Sequence, residues 1–266
     1  MNVFAIDALE NRHVIVTGAS GGIGSETAKA VVKMGGKVTI TARDEKKLDL
    51  LKQELTEYTP LDNINLHIAD LTSENEQKHL VDKAIEKLGP VYALVNCAGI
   101  AGGGIVDDTS KEELEFIMDL NYTSAVMLTK FVYQSMKQHK RGAIINVSSL
   151  SGLRGTYGNT AYAGSKFALI GFTHSFALEA IENGVRVNAV CPGYVNTPMG
   201  IKAIEKRAVR NGITFEEQLK NIENEYPSGN LTQPEEVANT IAYLLTDAAP
   251  NIIGESVKIS GGSVMR

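Results

Sequence analysis

Short runs of valine, isoleucine and alanine alternate along the whole chain with stretches of helical periodicity. The apolar runs predict strands over residues 13–16, 37–41, 64–68, 91–95, 143–147, 186–190 and 256–259. Between them, apolar positions recurring every three or four residues predict helices over 23–34, 45–58, 74–88, 111–138, 161–181 and 234–245. Several strands are nearly continuous in Val, Ile and Ala, which suits a parallel sheet covered by helices on both faces. Alternating βα units of this kind specify a doubly wound α/β fold of Rossmann type with about seven parallel strands, because right-handed crossovers place helices on each side.

No Pro/Gly/Ser-rich linker, charge block or internal repeat interrupts the pattern, so residues 1–266 read as one domain. One irregularity stands out. Residues 199–226 form an insertion between the sixth strand and the helix that opens at Pro234. Its apolar residues Ile201, Ile204, Phe215, Leu219 and Ile222 have roughly helical spacing. An insertion of this length reads as a lid over a binding site, with a purely structural helical pair as the alternative.

Composition narrows the classes without choosing among enzymes. With 43% apolar and 21% charged residues the chain is ordinary for a soluble protein. A net charge of -5 leaves no electrostatic footprint for nucleic acid. No apolar run reaches the ~18 residues of a membrane-spanning helix. The first residues, through Asn11, carry Asp7 and Glu10 and do not read as a signal or transit peptide, so a cytoplasmic location is expected. Cys97 and Cys191 are not in a C-x-x-C pair and read as buried, reduced thiols. The histidines, His13, His67, His79, His139 and His174, lack ligand spacing, so no metal site is expected.

The first strand runs into Gly18-Ala-Ser-Gly-Gly-Ile-Gly24, and a helical pattern follows at once. Glycine permits a tight turn, close approach to a pyrophosphate and close helix–strand packing, and the new helix N-terminus favours an anion. This points to a dinucleotide. Gly18-Ala-Ser20-Gly-Gly22 also matches G-x-S-x-G, the hydrolase nucleophile elbow, but that elbow follows several strands, and nothing upstream of Ser20 can complete an oxyanion hole. About 20 residues past the turn an acid would bind the 2′-hydroxyl of NAD, whereas an arginine accommodates the 2′-phosphate of NADP. Ala42 and Arg43 occupy that point, which favours NADP(H) and leaves NAD(H) open, since Arg43 could instead pair with Asp44. Asp70 either accepts from an adenine amino group or caps the helix that follows.

Tyr162 and Lys166 stand at i, i+4, on one face of a helix and one turn apart. A phenol with a pKa of about 10 is a poor acid–base group near neutrality, and an adjacent ammonium stabilises the phenolate. Upstream, Ile144-Ile-Asn-Val-Ser148-Ser149 supplies hydroxyls.

These motifs, in this order, give the chain its resemblance to the short-chain dehydrogenase/reductase family, over essentially its whole length. They are Thr17-Gly18-x-x-x-Gly22-x-Gly24, Asn96-Cys-Ala-Gly99, Asn121, Ser149, Tyr162-x-x-x-Lys166, and Pro192-Gly193 followed by Thr197. The resemblance implies that Tyr162 is the general acid in reduction and the base in oxidation. Lys166 would lower its pKa and hold the nicotinamide ribose. Ser149, rather than its neighbour Ser148, would bind the substrate oxygen, and Asn121 would hold a water linking Lys166 to solvent. Gly18, Ser20, Gly22, Ile23, Gly24, Arg43, Asp70, Leu71, Asn96, Ala98, Gly99, Tyr162, Lys166, Pro192, Gly193, Val195 and Thr197 would line the cofactor, with Thr197 at the nicotinamide carboxamide. A homotetramer is implied as well. Two departures are visible: Cys97 replaces the family's second Asn, leaving Asn96 to brace the sheet, and Gly21 stands where many NADP-preferring members carry a basic residue.

For the substrate, the chain looks most like 3-oxoacyl-thioester and polyketide ketoreductases, through 98–104, 187–199 and Ser260-Gly-Gly262. Lys202, Lys206 and Arg210 repeat at i, i+4, i+8 beside Arg207, either to meet the phosphates of a thioester arm or as a solvated helix face. Lys140 and Arg141 stand where acyl-carrier reductases place a docking base, yet Asn183 replaces a second one. Sugar, secondary-alcohol and hydroxysteroid dehydrogenases share the core motifs and remain alternatives. A non-enzymatic dinucleotide sensor is disfavoured by the intact Ser/Tyr/Lys set.

Overall fold

In the computed structural model, which describes residues 4–265, the apolar runs become β1 (His13–Thr17), β2 (Lys37–Ala42), β3 (Ile64–Ile68), β4 (Val91–Asn96), β5 (Gly142–Val147), β6 (Val185–Pro192) and β7 (Ser256–Ile259). They form one parallel sheet in the order β3-β2-β1-β4-β5-β6-β7. The strand order reverses at the β1/β4 pair, where a doubly wound sheet opens a crevice at the carboxyl ends of its strands. β1, β5 and β6 are buried along their full length, as their composition predicts.

The helices are α1 (Gly22–Lys33), α2 (Glu45–Leu55), α3 (Glu74–Leu88), α4 (Lys111–Met118), α5 (Ser124–His139), α6 (Thr160–Ala180), α7 (Pro198–Asn211), α8 (Phe215–Glu225) and α9 (Pro234–Leu245). Alternate strand residues feed two layers, because successive side chains point to opposite faces. Val14 and Val16 pack with Ala28, Val31 and Val32 of α1 and with Ile241 and Leu245 of α9. Ile15, between them, packs on the opposite face with Leu80 of α3, Leu128 and Val132 of α5, and Phe176 of α6. Among the described residues no helix is long and apolar enough to cross a membrane.

Two features differ from or refine the sequence expectation. The helix predicted over 111–138 is broken: α4 ends at Met118, and a π turn, Asp119–Thr123, intervenes before α5. Such wide turns commonly mark functional sites, and this one carries Asn121. The 199–226 insertion is the helical pair α7–α8, whose Ile204 and Ile222 close on Tyr226 and Leu231 with Ile201, Phe215 and Leu219 around them.

Candidate active site

The glycine turn between β1 and α1 is shaped first by contacts within the chain. Gly18 has φ +62, and a Cβ there would stand 2.8 Å from the Ala98 Cα at the end of β4. At Gly24 a Cβ would stand 2.4 Å from the Gly18 carbonyl oxygen, so the turn and its helix can close only without side chains. α1 opens at Gly21 with no side-chain cap and no acid in its first turn. Its amino-terminal amides therefore face outward without a side-chain partner, beside Ser20 and Ile23, which suits a pyrophosphate.

Ser149, Tyr162, Lys166 and Asn121 converge beside that turn. Ser149 follows β5, accepts from the Ser151 amide at 3.1 Å and lies 3.5 Å from the Pro192 carbonyl at the end of β6. Ser148, by contrast, donates to the main-chain carbonyl of Lys166 at 3.1 Å and is buried under α6, so Ser149 is the hydroxyl on the site. Lys166 is buried, reaches past the Tyr162 ring with Nζ 5.7 Å from its centre, and donates to the Val147 carbonyl at 2.9 Å. A Cβ on Gly99 would lie 3.0 Å from Asn121 Oδ1 and 3.5 Å from Lys166 Nζ, so the β4 loop must be bare here.

Asn121 commits its amide to protein groups. Nδ2 donates to the Ile100 carbonyl and to Ser165 Oγ, each at 3.0 Å, while Oδ1 accepts from the Ile100 amide at 2.8 Å. Both N–H groups are occupied, so toward a water the side chain keeps only its remaining acceptor capacity.

Burial governs the ionisation here. It pushes the Tyr162 phenol up, with the Ser149 hydroxyl pulling the other way, and it pulls the Lys166 ammonium down to about 8. The expected lowering of Tyr162 by Lys166 is thus not a property of the two side chains alone. The thiols Cys97 and Cys191 flank them and are raised by burial to about 12 and about 11, so both are un-ionised. Cys191 is buried and Cys97 half-buried, and neither is in a disulfide.

The cofactor-selecting positions lie at the ends of β2 and β3. Arg43 is exposed and, among the described residues, has no ion-pair partner within 4.0 Å, because Asp44 caps α2 through the Lys47 amide at 3.1 Å and pairs with the Lys47 ammonium at 3.5 Å. Asp70 does not cap α3; Ser73 does. The Asp70 carboxylate accepts from the Thr72 amide and hydroxyl, which hold it below the usual range with a smaller contribution from Arg43.

Other expected residues offer main chain rather than side chain. Leu71 and Val195 are buried, and Asn96 is taken up in a brace, donating to Thr129 Oγ1 at 3.0 Å and to Asn146 Oδ1 at 2.9 Å. Thr197 caps α7 through the Gly200 amide at 3.2 Å, and its methyl fills the space over Gly22, where a Cβ would stand 2.6 Å away. The fit to a dinucleotide is therefore good: a bare glycine cradle, an unpaired arginine at the β2 end and a capping threonine at the far side.

Sequence reasoning missed the supports. Thr17 Oγ1 accepts from the Cys97 and Ala98 amides, each at 3.0 Å, and so ties the end of β1 to the β4 loop. Asn146 extends the brace to Thr173 at 2.9 Å. A buried polar residue in an apolar strand is the signal that could have revealed both. Lys202, Lys206 and Arg210 are exposed together on α7, with Arg207 half-buried beside them. Arg207 pairs with Glu225 at 2.9 Å, and Arg210 stacks 5.0 Å from the Tyr157 ring. Arg141 pairs with Asp247 at 2.8 Å, at the amino edge of the sheet, opposite the site.

The family described as short chain dehydrogenase matches residues 12–208 of the chain. The 3-oxoacyl-(acyl-carrier-protein) reductase of Rickettsia felis is 33% identical, over 97% of this chain and 98% of that relative. The acetoacetyl-CoA reductase of an Acinetobacter species is 34% identical, over 96% and 99%. Among solved structures, an actinorhodin polyketide ketoreductase with NADPH superposes with a TM-score of 0.91 at 34% identity, covering 98% of this chain and 99% of that one.

Proposed function

This chain belongs to the short-chain dehydrogenase family, and we propose that within it the protein is an NADP(H)-dependent oxidoreductase reducing a carbonyl of the 3-oxoacyl-thioester class. The observation that carries this reading is the convergence of Ser149, Tyr162 and Lys166 beside the bare turn Gly18–Gly24. Gly18, Gly22 and Gly24 would hold the pyrophosphate, Arg43 the 2′-phosphate, and Lys166 and Thr197 the nicotinamide half. NADP(H), when bound, supplies the hydride.

The chain's own residues handle the substrate and the proton. Ser149 Oγ holds the carbonyl oxygen, and Tyr162 Oη gives it a proton as charge develops there. Lys166, whose ammonium burial makes a stronger acid, is the next proton source behind the phenol. Asn121 fixes the β4 loop at Ile100 and keeps that wall of the site in place.

Residues 1–266 act as one catalytic unit in this reading, with α7–α8 as the substrate lid; Met1–Val3 and Arg266 lie outside the described residues. Assembly into a homotetramer is part of the proposal. It is supported by Phe167 and Leu178 of α6, which are 46% and 74% exposed on a helix that is apolar nearly all round. A cytoplasmic location fits the two reduced cysteines.

Consumption of NADPH, followed by its absorbance, tests the reading against acetoacetyl-CoA, shorter thioester mimics, free ketones, sugars and steroids. Turnover of the 3-oxo thioesters at the highest kcat/KM is expected. Turnover confined to sugars or steroids would reassign the substrate, and no turnover of any carbonyl would refute the enzyme.

A further inference from the structure

Tyr226, the residue after α8, is buried at 6% exposure, and its hydroxyl leaves the apolar cluster of the α7–α8 pair to meet a backbone group. The Tyr194 amide donates to Tyr226 Oη at 2.8 Å. The ring lies in a slot between two glycines. A Cβ on Gly193 would stand 2.4 Å from Oη, and a Cβ on Gly261 would stand 3.3 Å from the ring. Leu150, next to Ser149, closes a third side of the same slot, 3.3 Å from the Gly193 Cβ position.

The segment held by this hydroxyl runs from the end of β6 to the cap of α7. Most of its hydrogen-bonded amides go to main-chain acceptors. Gly193 donates to the Ile259 carbonyl at 3.0 Å, Asn196 to the Thr232 carbonyl at 2.9 Å, and Thr197 to the Val195 carbonyl at 2.8 Å. Tyr194 differs, since its amide depends on one side-chain oxygen from the far end of the lid. The segment also touches both halves of the site: Pro192 lies against Ser149, and Thr197 lies over Gly22.

We propose that Tyr226 is a positioning residue for the nicotinamide half of the cofactor site, pinning the 193–197 segment through the Tyr194 amide. Loss of the hydroxyl leaves that half-buried amide without its protein partner and frees the turn to shift. The adenosine end, at Arg43 after β2, is separated from the pin by β1, β4 and β5 and is expected not to depend on it. This inference rests on the oxidoreductase reading above.

The test is Tyr226→Phe, which removes one oxygen and keeps the ring. NADPH and adenosine 2′,5′-bisphosphate, a ligand with no nicotinamide, are each titrated into wild type and variant. The expected result is NADPH binding weakened about three- to tenfold, the range one hydrogen bond supports, with the bisphosphate unchanged within about twofold. Hydrogen exchange of the free protein should quicken in the peptide spanning 193–197 and not in β1, with the melting temperature nearly unchanged. Equal weakening of both ligands would show a merely structural role, and no change in either the ligand ratio or the exchange would remove the pin altogether. A wild-type protein that binds neither ligand overturns the oxidoreductase reading and this inference with it. Unaltered exchange in the variant counts against the pin alone.

Discussion

Asp44 turns away from Arg43: its carboxylate caps α2 and pairs with Lys47, leaving its chain neighbour's guanidinium exposed at the end of β2. An acid directed at a ribose would have argued for NAD, whereas a free planar cation argues for a phosphate. Arg43→Ala is therefore expected to weaken NADPH about tenfold or more, the range of a charge-assisted hydrogen bond, and to leave NADH within about twofold. Fluorescence titration of both nucleotides measures it, and equal effects would remove the 2′-phosphate from this residue.

The pairing of a raised phenol with a lysine held near 8 has a direct kinetic consequence. Tyr162→Phe should lower kcat about 10²-fold or more while NADPH still binds, since a positioned acid contributes on that order. In the wild type, kcat/KM for reduction is expected to stay level below pH 8 and to fall above it. The sign follows because reduction requires a protonated relay and Lys166 loses its proton through that range. A profile that rises across pH 8 would mean that the relay is not the proton donor.

How far the sequence could be read is clearest at α4–α5 and at Lys166. Strands lay open to inspection because runs such as Val14-Ile-Val and Ala143-Ile-Ile state their own burial. The break at Asp119–Thr123 did not, because apolar spacing continues through it. Its evident partner is the clamp of Asn121 on Ile100, a contact across 21 positions that periodicity cannot report. The proposed catalytic set was legible through the order of its motifs and their family resemblance, and the structure brings Tyr162 and Lys166 together as their spacing implies. Their ionisation was not, because the state of Lys166 depends on how completely β5 and the β4 loop enclose it. The glycines were also read for only part of their purpose. Gly18 and Gly24 are required by the chain's own approach at Ala98 and at the Gly18 carbonyl, before any cofactor enters.

Arg210 and Tyr157 join α7 to the loop between Ser149 and Tyr162. The guanidinium stacks 5.0 Å from the ring, and its N–H reaches the Tyr157 carbonyl at 3.4 Å. On the proposed lid role of α7–α8, Arg210→Ala should loosen the cover over the substrate and leave the dinucleotide untouched. An exposed cation–π contact contributes about 0.5–1 kcal/mol, so kcat/KM for the carbonyl is expected to fall about two- to fivefold. NADPH affinity should stay constant. Steady-state kinetics beside equilibrium titration separates the two, and a loss confined to NADPH binding would contradict a lid role.

His13, far from the chemistry at the start of β1, makes the fold sensitive to acid. Its Nδ1 faces the Gly89 carbonyl and its Nε2 faces Thr39 Oγ1, each at 2.8 Å. A carbonyl can only accept, so Nδ1 carries the proton and Nε2 accepts from the threonine; the ring is neutral. Burial lowers its pKa from 6.5 to about 4. Between those values the unfolded chain binds a proton that the folded one refuses, so stability is full above about pH 6.5 and declines as pH falls toward 4. The depression corresponds to about 3 kcal/mol, lost progressively across that window. His13→Gln can donate and accept along similar directions and does not titrate. It should therefore be somewhat less stable near neutrality and lose less stability on acidification. Urea unfolding of both proteins at pH 7.5 and 4.5 measures the difference, and parallel losses in the two would show that the acid sensitivity arises elsewhere.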